Sequence, residues 1–270
     1  MIAFPAAKIN LGLSVVSKRA DGFHNLETVF YPIPLYDILE ITASSTLRFL
    51  STGLTIPGLP EDNLVLRSYR MLKERYPRIG PLEILLHKKI PMGAGLGGGS
   101  SDAASFLQLV DRLFKLNISE RDLEAYALTM GSDCPFFLKS LPCLASGRGE
   151  VLETIHLDLS AYSILLIHPG IHVETAKAFL RIRPETPLRP LKELIQRPVA
   201  EWRNTVYNAF EIPVFEDFPD LRLIKEKMYE SGAIYASLTG SGSTIYGIFQ
   251  KDEYPNIKLE KATQTYIRGK

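Results

Sequence analysis

Residues 91–102 have the composition of a loop that binds phosphate groups. Five glycines fall within seven positions and two serines follow them. Because glycine has no Cβ, successive backbone N–H groups can point into one concavity, and a helix starting there adds about half a positive charge. We therefore expect an anion to bind here. The candidate binding residues are Pro91, Met92, Gly93, Ala94, Gly95, Leu96, Gly97, Gly98, Gly99, Ser100 and Ser101.

Two common nucleotide motifs do not fit this loop well. A Walker loop needs a lysine directly after the last glycine, where this chain has Ser100. The dinucleotide pattern G-x-G-x-x-G is formally present, but the preceding strand at 82–90 ends in two lysines instead of being continuously apolar. A flexible linker would not lie between a patterned strand and a patterned helix. The loop therefore favours binding of a nucleotide phosphate.

The loop leads into an amphipathic helix. Its apolar stripe, at spacings of three and four, consists of Ala103, Ala104, Phe106, Leu107, Val110, Leu113 and Phe114. Ser100 or Ser101 can act as the N-cap, and the same hydroxyls could reach a phosphate or Mg²⁺.

Composition places the chain among ordinary globular proteins. It has 270 residues, of which 46% are hydrophobic, and its formal charge is +1. This balance gives no reason to expect a nucleic acid or a membrane as the main partner. Cys134 and Cys143 fit no metal-binding spacing, and the N-terminus lacks a signal-peptide pattern. We expect a cytoplasmic protein, and the sequence does not indicate its oligomeric state.

Element patterns suggest two domains, 1–150 and 151–270. The first half predicts strands at 9–16, 26–32, 37–42 and 82–90, and helices from 62 and at 120–130, the latter capped by Ser119. The second half predicts strands at 162–168, 234–238 and 244–249, and helices at 174–182 and 221–230. A proline-rich stretch at 183–200 is irregular and unassigned. The turn at 239–243 reads equally well as a plain hairpin or as a phosphate-binding turn.

Five segments together resemble the GHMP kinase superfamily in their order and spacing. They are PAAKINL (5–11), RADGFHNL (19–26), the loop at 91–102, GSDCPFF (131–137) and LTGSG (238–242). The loop and the last segment are shared across the superfamily, whereas the other three point to members that act on a cytidyl-bearing acceptor. The resemblance spans residues 1 to about 250. The lysine-rich tail that follows is shorter than in relatives, which leaves the last sheet edge in doubt.

The resemblance implies an α+β fold of two domains, the N-terminal one like ribosomal protein S5 domain 2 and the C-terminal one ferredoxin-like, with the active site between them. It also implies transfer of the γ-phosphoryl group of ATP, with Mg²⁺, to the 2-hydroxyl of a small-molecule acceptor. The acceptor that the resemblance implies is a methylerythritol unit that carries a cytidine diphosphate. In such transfers, residues chiefly position the substrates and neutralise charge.

Catalytic roles carry over to Lys8 and Asp133. Lys8 would pair with Asp133 and stabilise the transferring group, although a lysine in a strand is often an edge residue with its amine in water. Asp133 would take the proton of the acceptor hydroxyl, although an aspartate at a helix start is commonly only a cap. Because a nearby lysine favours the ionised carboxylate, base and positioner stay open as roles for Asp133.

Binding roles carry over to six further residues. Asn10 is expected to contact the acceptor near its hydroxyls, and Phe23 and His24 to bind the cytosine. Tyrosine is usual where Phe23 stands, so stacking is retained but a phenol hydrogen bond is lost. Phe179 could cover the opposite face of the base or belong to the core. Asn63 and Lys88 occupy positions that contact ATP in the family, or lie on solvated surface.

Three other functions are alternatives to this assignment. A sister kinase for homoserine, mevalonate or galactose should lack the Asp-Gly-Phe-His run at 21–24. A nicotinamide oxidoreductase would bind NAD and not ATP. A non-catalytic binding module would lack the pair of Lys8 and Asp133, and both residues are present.

Overall fold

The computed structural model describes residues 1–253, 255–259 and 262–268, with the side chains of 266 and 268 left outside the description. The strands are Ile2–Ala3 (β1), Ala6–Lys18 (β2), His24–Tyr36 (β3), Ile38–Ala43 (β4), Arg48–Gly53 (β5), Leu82–Lys88 (β6), Cys143–Gly147 (β7), Val151–Thr154 (β8), Tyr162–His168 (β9), Tyr235–Leu238 (β10), Ile245–Gln250 (β11) and Thr263–Arg268 (β12). The helices are Leu64–Arg75 (α1), Gly98–Phe114 (α2), Glu120–Met130 (α3), Cys134–Phe137 (α4), Thr175–Arg181 (α5), Leu191–Leu194 (α6), Val199–Trp202 (α7), Glu211–Asp217 (α8) and Pro219–Glu230 (α9).

Packing divides the chain into two compact units that do not follow chain order. Unit 1 contains residues 1–8, 34–92 and 97–140, and unit 2 contains 9–33, 93–96 and the chain from 141 onwards. The long strands β2 and β3 each begin in one unit and continue in the other. These units do not test the division into two domains at 1–150 and 151–270, which stays a prediction.

Unit 1 is built on a four-stranded sheet in the order β1-β4-β6-β5. Side chains alternate across β6, so that Leu82, Ile84 and Leu86 are all buried on one face. They form one core cluster with Phe106 and Val110 of α2, which confirms the apolar stripe of that helix.

The start of α2 differs from the prediction. Gly97 is the N-cap, with a left-handed φ of 72°, and the helix begins at Gly98. Ser100 and Ser101 therefore lie inside the first turn, and their assignment as N-cap is wrong. The physical reason is that glycine turns the chain into the helix through a conformation that serine adopts poorly.

Unit 2 contains two sheets, ordered β2-β3-β7-β8 and β10-β11-β9-β12. β9 lies inside the second sheet, antiparallel to both β11 and β12. Leu221, Ile224 and Met228 of α9 are buried in the core of this unit, as their spacing predicts. The last sheet edge, which the sequence left in doubt, is formed by β12.

The proline-rich stretch is more regular than expected. Pro190 and Pro198 are the N-cap residues of the short helices α6 and α7, with φ of −58° and −50°, in the range that the proline ring imposes. Helix α7 ends at Trp202, which is fully buried. Its Nε1 donates to the Arg197 carbonyl at 3.0 Å, and its ring meets Tyr235 edge to face at 5.7 Å. No helix among the described residues is long and apolar enough to cross a membrane.

Candidate active site

The candidate residues fall into two sets, one in each unit. Unit 1 contains the two ends of the glycine loop together with Lys8, Asn63, Lys88 and Asp133, and unit 2 contains loop residues 93–96 together with Asn10, Phe23, His24 and Phe179.

Lys8 and Asp133 meet within unit 1. The Lys8 Nζ lies 3.4 Å from the Asp133 Oδ2, and the two side chains are 4% and 34% exposed. Burial lowers the pKa of Lys8, and the charge of Asp133 opposes that shift. The Asp133 backbone caps α4, but its side chain makes no capping hydrogen bond. The cap-only interpretation of Asp133 and the solvated-edge interpretation of Lys8 are therefore both wrong.

Gly97, at the end of the glycine loop, lies close to the Lys8 side chain. A Cβ on Gly97 would lie 2.6 Å from the Phe137 ring and 3.3 Å from the Lys8 Cε, and the φ of Gly97 already favours glycine. Only a residue without a side chain fits this approach. The start of α2 is thereby held beside the ion pair of Lys8 and Asp133.

The first turn of α2 offers backbone donors. The first bond inside the helix runs from the Ser101 N–H to the Gly97 carbonyl at 2.9 Å. The N–H groups before Ser101 have no acceptor inside the helix, and the helix dipole adds positive potential at this end. This arrangement suits a phosphate group.

Lys88 is buried beneath the start of α2. Its Nζ contacts the carboxylates of Asp37 and Asp102, the latter at 2.7 Å, and would lie 3.3 Å from a Cβ on Gly98. The side chain is 0% exposed, so the solvated-surface alternative is wrong for Lys88. Its contact with ATP stays a prediction.

Asp37 and Asp102 are residues that sequence reasoning missed. The Asp37 Oδ1 accepts from the backbone N–H groups of Lys89 and Ile90, at 2.6 and 2.9 Å. Burial raises the pKa of Asp102 to about 7, and Lys88 opposes this rise. A signal was available, because strand alternation places Lys88 on the buried face of β6, where a lysine needs counter-charges.

Asn63 caps the helix α1. Its side-chain oxygen accepts a hydrogen bond from the Val65 N–H at 2.9 Å. The expected contact of Asn63 with ATP stays a prediction. Cys134, next to Asp133, is free and buried, and burial raises the pKa of its thiol to about 12. A thiol held neutral in this way does not act as a nucleophile at neutral pH.

A protein-held metal centre is not evident in the described part of the chain, since no three His, Cys, Asp or Glu side chains there are placed so that they could hold a metal ion together. Mg²⁺ bound through nucleotide phosphates needs few protein ligands and prefers oxygen. The hydroxyls of Ser100 and Ser101 have the right chemistry, and Ser100 is the more accessible of the two because Ser101 is 1% exposed.

In unit 2, the middle of the glycine loop rests on the turn after β10. A Cβ on Gly95 would lie 2.0 Å from the Thr239 carbonyl oxygen. The Thr244 N–H donates to the Ala94 carbonyl at 3.3 Å. The turn closes the hairpin of β10 and β11, which confirms the hairpin interpretation, and it also supports the loop. Binding of phosphate by the turn stays a prediction.

The element at 19–25 is well ordered by its own contacts. The Arg19 guanidinium donates to the Asp21 carboxylate at 2.9–3.1 Å, and the Asp21 Oδ1 accepts from the Phe23 N–H at 3.1 Å. The Phe23 ring is 53% exposed, and the Arg148 guanidinium lies 4.7 Å from its centre. An exposed ring backed by a cation is available for stacking.

His24 and Phe179 stack on each other. Their ring centres are 5.0 Å apart at an interplanar angle of 8°, and Phe179 meets Phe210 edge to face at 4.8 Å. Burial lowers the pKa of His24, which favours a neutral ring able both to donate and to accept. Phe179 therefore packs against the core and contacts His24, and its contact with a base stays a prediction.

Asn208 is a second feature that sequence reasoning missed. Its Nδ2 donates to the carbonyls of Leu238 and Gly240, at 2.8 Å each, and its Oδ1 accepts from the Phe210 N–H at 2.9 Å. It thus fixes the backbone on both sides of Thr239. No local pattern marks a single asparagine far away in the sequence for this role.

Comparison with known proteins places these features in a family. The pattern described as the GHMP kinases N terminal domain matches residues 63–140, and that of the GHMP kinases C terminal matches 190–268. A 4-diphosphocytidyl-2-C-methyl-D-erythritol kinase of Bacteroides fragilis is 48% identical over 257 residues, covering 94% of this chain and 93% of its own. Its counterpart in Bacteroides thetaiotaomicron is 49% identical over 256 residues, covering 93% of each.

A solved structure agrees with these relatives. The crystal structure of a 4-(cytidine 5'-diphospho)-2C-methyl-D-erythritol kinase matches with a TM-score of 0.80 at 33% identity. The match covers 93% of this chain and 90% of the other. The α+β fold expected from the resemblance is confirmed by this match.

Proposed function

Because this chain belongs to the GHMP kinases, within their 4-diphosphocytidyl-2-C-methyl-D-erythritol kinases, we propose that it transfers the γ-phosphoryl group of ATP to the 2-hydroxyl of that acceptor. The products are the 2-phosphate and ADP. The observation that carries the mechanism is the ion pair of Lys8 and Asp133, beside the start of a helix suited to phosphate.

Each proposed group has one task. The Asp133 carboxylate takes or orients the proton of the acceptor hydroxyl, and the Lys8 ammonium stabilises the negative charge that develops. The N–H groups at the start of α2 hold the phosphates of ATP. Ser100 or Ser101, together with those phosphates, would hold Mg²⁺, which would supply charge neutralisation.

Acceptor recognition is assigned to unit 2. Phe23 stacks with the cytosine, neutral His24 hydrogen-bonds to its edge, and Asn10 binds near the acceptor hydroxyls. Phe179 supports the His24 ring from behind. Asn63 and Lys88 are the further residues proposed to contact ATP. We also propose a cytoplasmic location, which suits the two free cysteines.

The test is incubation of the protein with ATP, Mg²⁺ and 4-diphosphocytidyl-2-C-methyl-D-erythritol, followed by mass spectrometry of the acceptor and assay of ADP. We expect the acceptor to gain one phosphoryl group. ADP release only with homoserine, mevalonate or galactose as acceptor would retain the kinase family and reject the cytidyl acceptor.

A further inference from the structure

Two buried threonines flank the turn between β10 and β11, and they differ in one respect. Thr239 and Thr244 are both 0% exposed. The Thr239 hydroxyl has three hydrogen-bond partners, whereas the Thr244 hydroxyl has none within the described part of the chain. A buried hydroxyl without a hydrogen-bond partner lowers the stability of the folded protein. The Thr239 hydroxyl therefore stabilises the fold, whereas the Thr244 hydroxyl does not.

The partners of Thr239 belong to two functional segments. Its Oγ1 accepts from the Asn10 backbone N–H at 3.0 Å. Its single proton faces the Gly95 carbonyl at 3.0 Å and the Asn10 Oδ1 at 3.2 Å. One hydroxyl therefore binds the acceptor-side residue Asn10 and the middle of the glycine loop together.

The surrounding bonds leave little freedom for Asn10. Its Nδ2 donates to the Thr28 Oγ1 at 2.9 Å, and Thr28 in turn donates to the Gly12 carbonyl at 2.6 Å. The Tyr246 hydroxyl donates to the Asn10 carbonyl at 2.8 Å. Asn10 is thus fixed on both its backbone and its side chain, and Thr239 supplies the bonds on the side of the loop.

We infer that the Thr239 hydroxyl is a positioning group that sets the glycine loop and Asn10 in register for phosphoryl transfer. This inference rests on the proposed function of those two segments. Phosphoryl transfer depends on alignment of donor and acceptor, and a misplacement of about 1 Å can cost about 10²-fold in rate. Thr239 touches neither substrate in this role and acts through Asn10 and Gly95.

The test compares four variants. Thr239→Val removes the hydroxyl at constant shape, Thr239→Ser retains it, and Thr244→Val is the matched control that removes a hydroxyl without partners. Thr239→Ala leaves room for a water at the Asn10 N–H, which covers the case that the valine variant does not fold. Circular dichroism establishes that each variant is folded at the assay temperature.

For Thr239→Val and Thr239→Ala we expect kcat to fall about 10- to 100-fold, with KM raised for both ATP and the acceptor. Thr239→Ser and Thr244→Val should stay near the wild type. A lower folded fraction alone would reduce the rate and leave both KM values unchanged. The inference is overturned if the folded Thr239→Val or Thr239→Ala protein matches Thr244→Val, or if Thr239→Ser is as impaired as they are.

Calorimetric titration with a non-hydrolysable ATP analogue separates this inference from the proposed function. We expect loss of the Thr239 hydroxyl to weaken analogue binding several-fold relative to Thr244→Val, whichever acceptor the enzyme uses. Unchanged binding would overturn the inference. A wild-type protein inactive on the cytidyl acceptor would instead reject the proposed function.

Discussion

The Lys8 ammonium lies 3.4 Å from the Asp133 carboxylate, and the lysine is almost fully buried while a third of the aspartate side chain is exposed. The carboxylate is therefore the partner that a substrate hydroxyl can reach. The lysine supports it from inside the unit. This asymmetry supports the proposed roles, proton contact for Asp133 and charge stabilisation for Lys8.

Asp133→Asn should lower kcat far more than it raises KM. The amide retains the shape of the side chain but cannot take a proton, and loss of such a group typically costs about 10²- to 10⁴-fold in rate. Steady-state kinetics with both substrates measures the effect, with exposed Asp220→Asn in unit 2 as the control. A raised KM with intact kcat would reject the catalytic role.

Lys8→Met should also lower kcat, because it retains the buried stem and removes the charge. Combined with Asp133→Asn it should cost little more than the worse single variant, since the two groups act as a unit. A double-variant cycle on kcat/KM tests this. Additive losses would show that the two residues act independently.

Asp102 should make stability depend on pH. Its pKa is raised by burial to about 7 from an ordinary 3.8, so the folded protein retains a proton that the unfolded chain releases. The resulting stabilisation is complete below the ordinary pKa and is lost as pH rises towards 7, by at most about 1.4 kcal/mol per pH unit. Urea unfolding at several pH values, for the wild type and Asp102→Asn, should show this slope only in the wild type. Parallel profiles would contradict the prediction.

Phe23→Ala should raise KM for the cytidyl acceptor about tenfold or more and leave KM for ATP unchanged. The exposed ring is proposed to stack with the base, and such stacking is worth about 1–3 kcal/mol. Phe4→Ala, which truncates another exposed phenylalanine, is the control and should change neither KM. Equal changes in the two KM values would argue against a role in base recognition.

Gly95→Ala should destabilise the protein more than Gly170→Ala. Both glycines have a φ of 76°, but a Cβ on Gly95 would lie 2.0 Å from a backbone oxygen, whereas nothing lies within 4 Å of one on Gly170. Gly170→Ala should thus cost about 1 kcal/mol for the backbone conformation alone. Thermal unfolding of the two variants gives the difference, and similar losses would show that the loop moves away from the turn at little cost.

Local patterns predicted the elements that local physics determines. The strand at 162–168 and the helix at 120–130, with Ser119 as its cap, agree with β9 and α3. The apolar period of a helix or strand and the chemistry of a helix cap both depend on residues that are close together in the sequence. The pair of Lys8 and Asp133 was found only through the resemblance, because no spacing rule connects residues so far apart.

The supporting contacts could be predicted only in part, because the buried position of Lys88 calls for counter-charges but no local pattern identifies the residues that supply them. Asp37, Asp102 and Asn208 acquire their roles from partners distant in the sequence. The N-cap at Gly97 was missed because a left-handed glycine can replace a serine cap. In each case tertiary packing decided between local alternatives.

Trp202 is the single tryptophan of the sequence, and it is buried in unit 2 against Tyr235. Its fluorescence therefore reports on the surroundings of one indole, whose described contacts with the Arg197 carbonyl and the Tyr235 ring lie in unit 2. Far-ultraviolet dichroism, in contrast, sums over the helices of both units. Superposition or separation of the two denaturation curves thus becomes a built-in measure of whether the units unfold as one cooperative body.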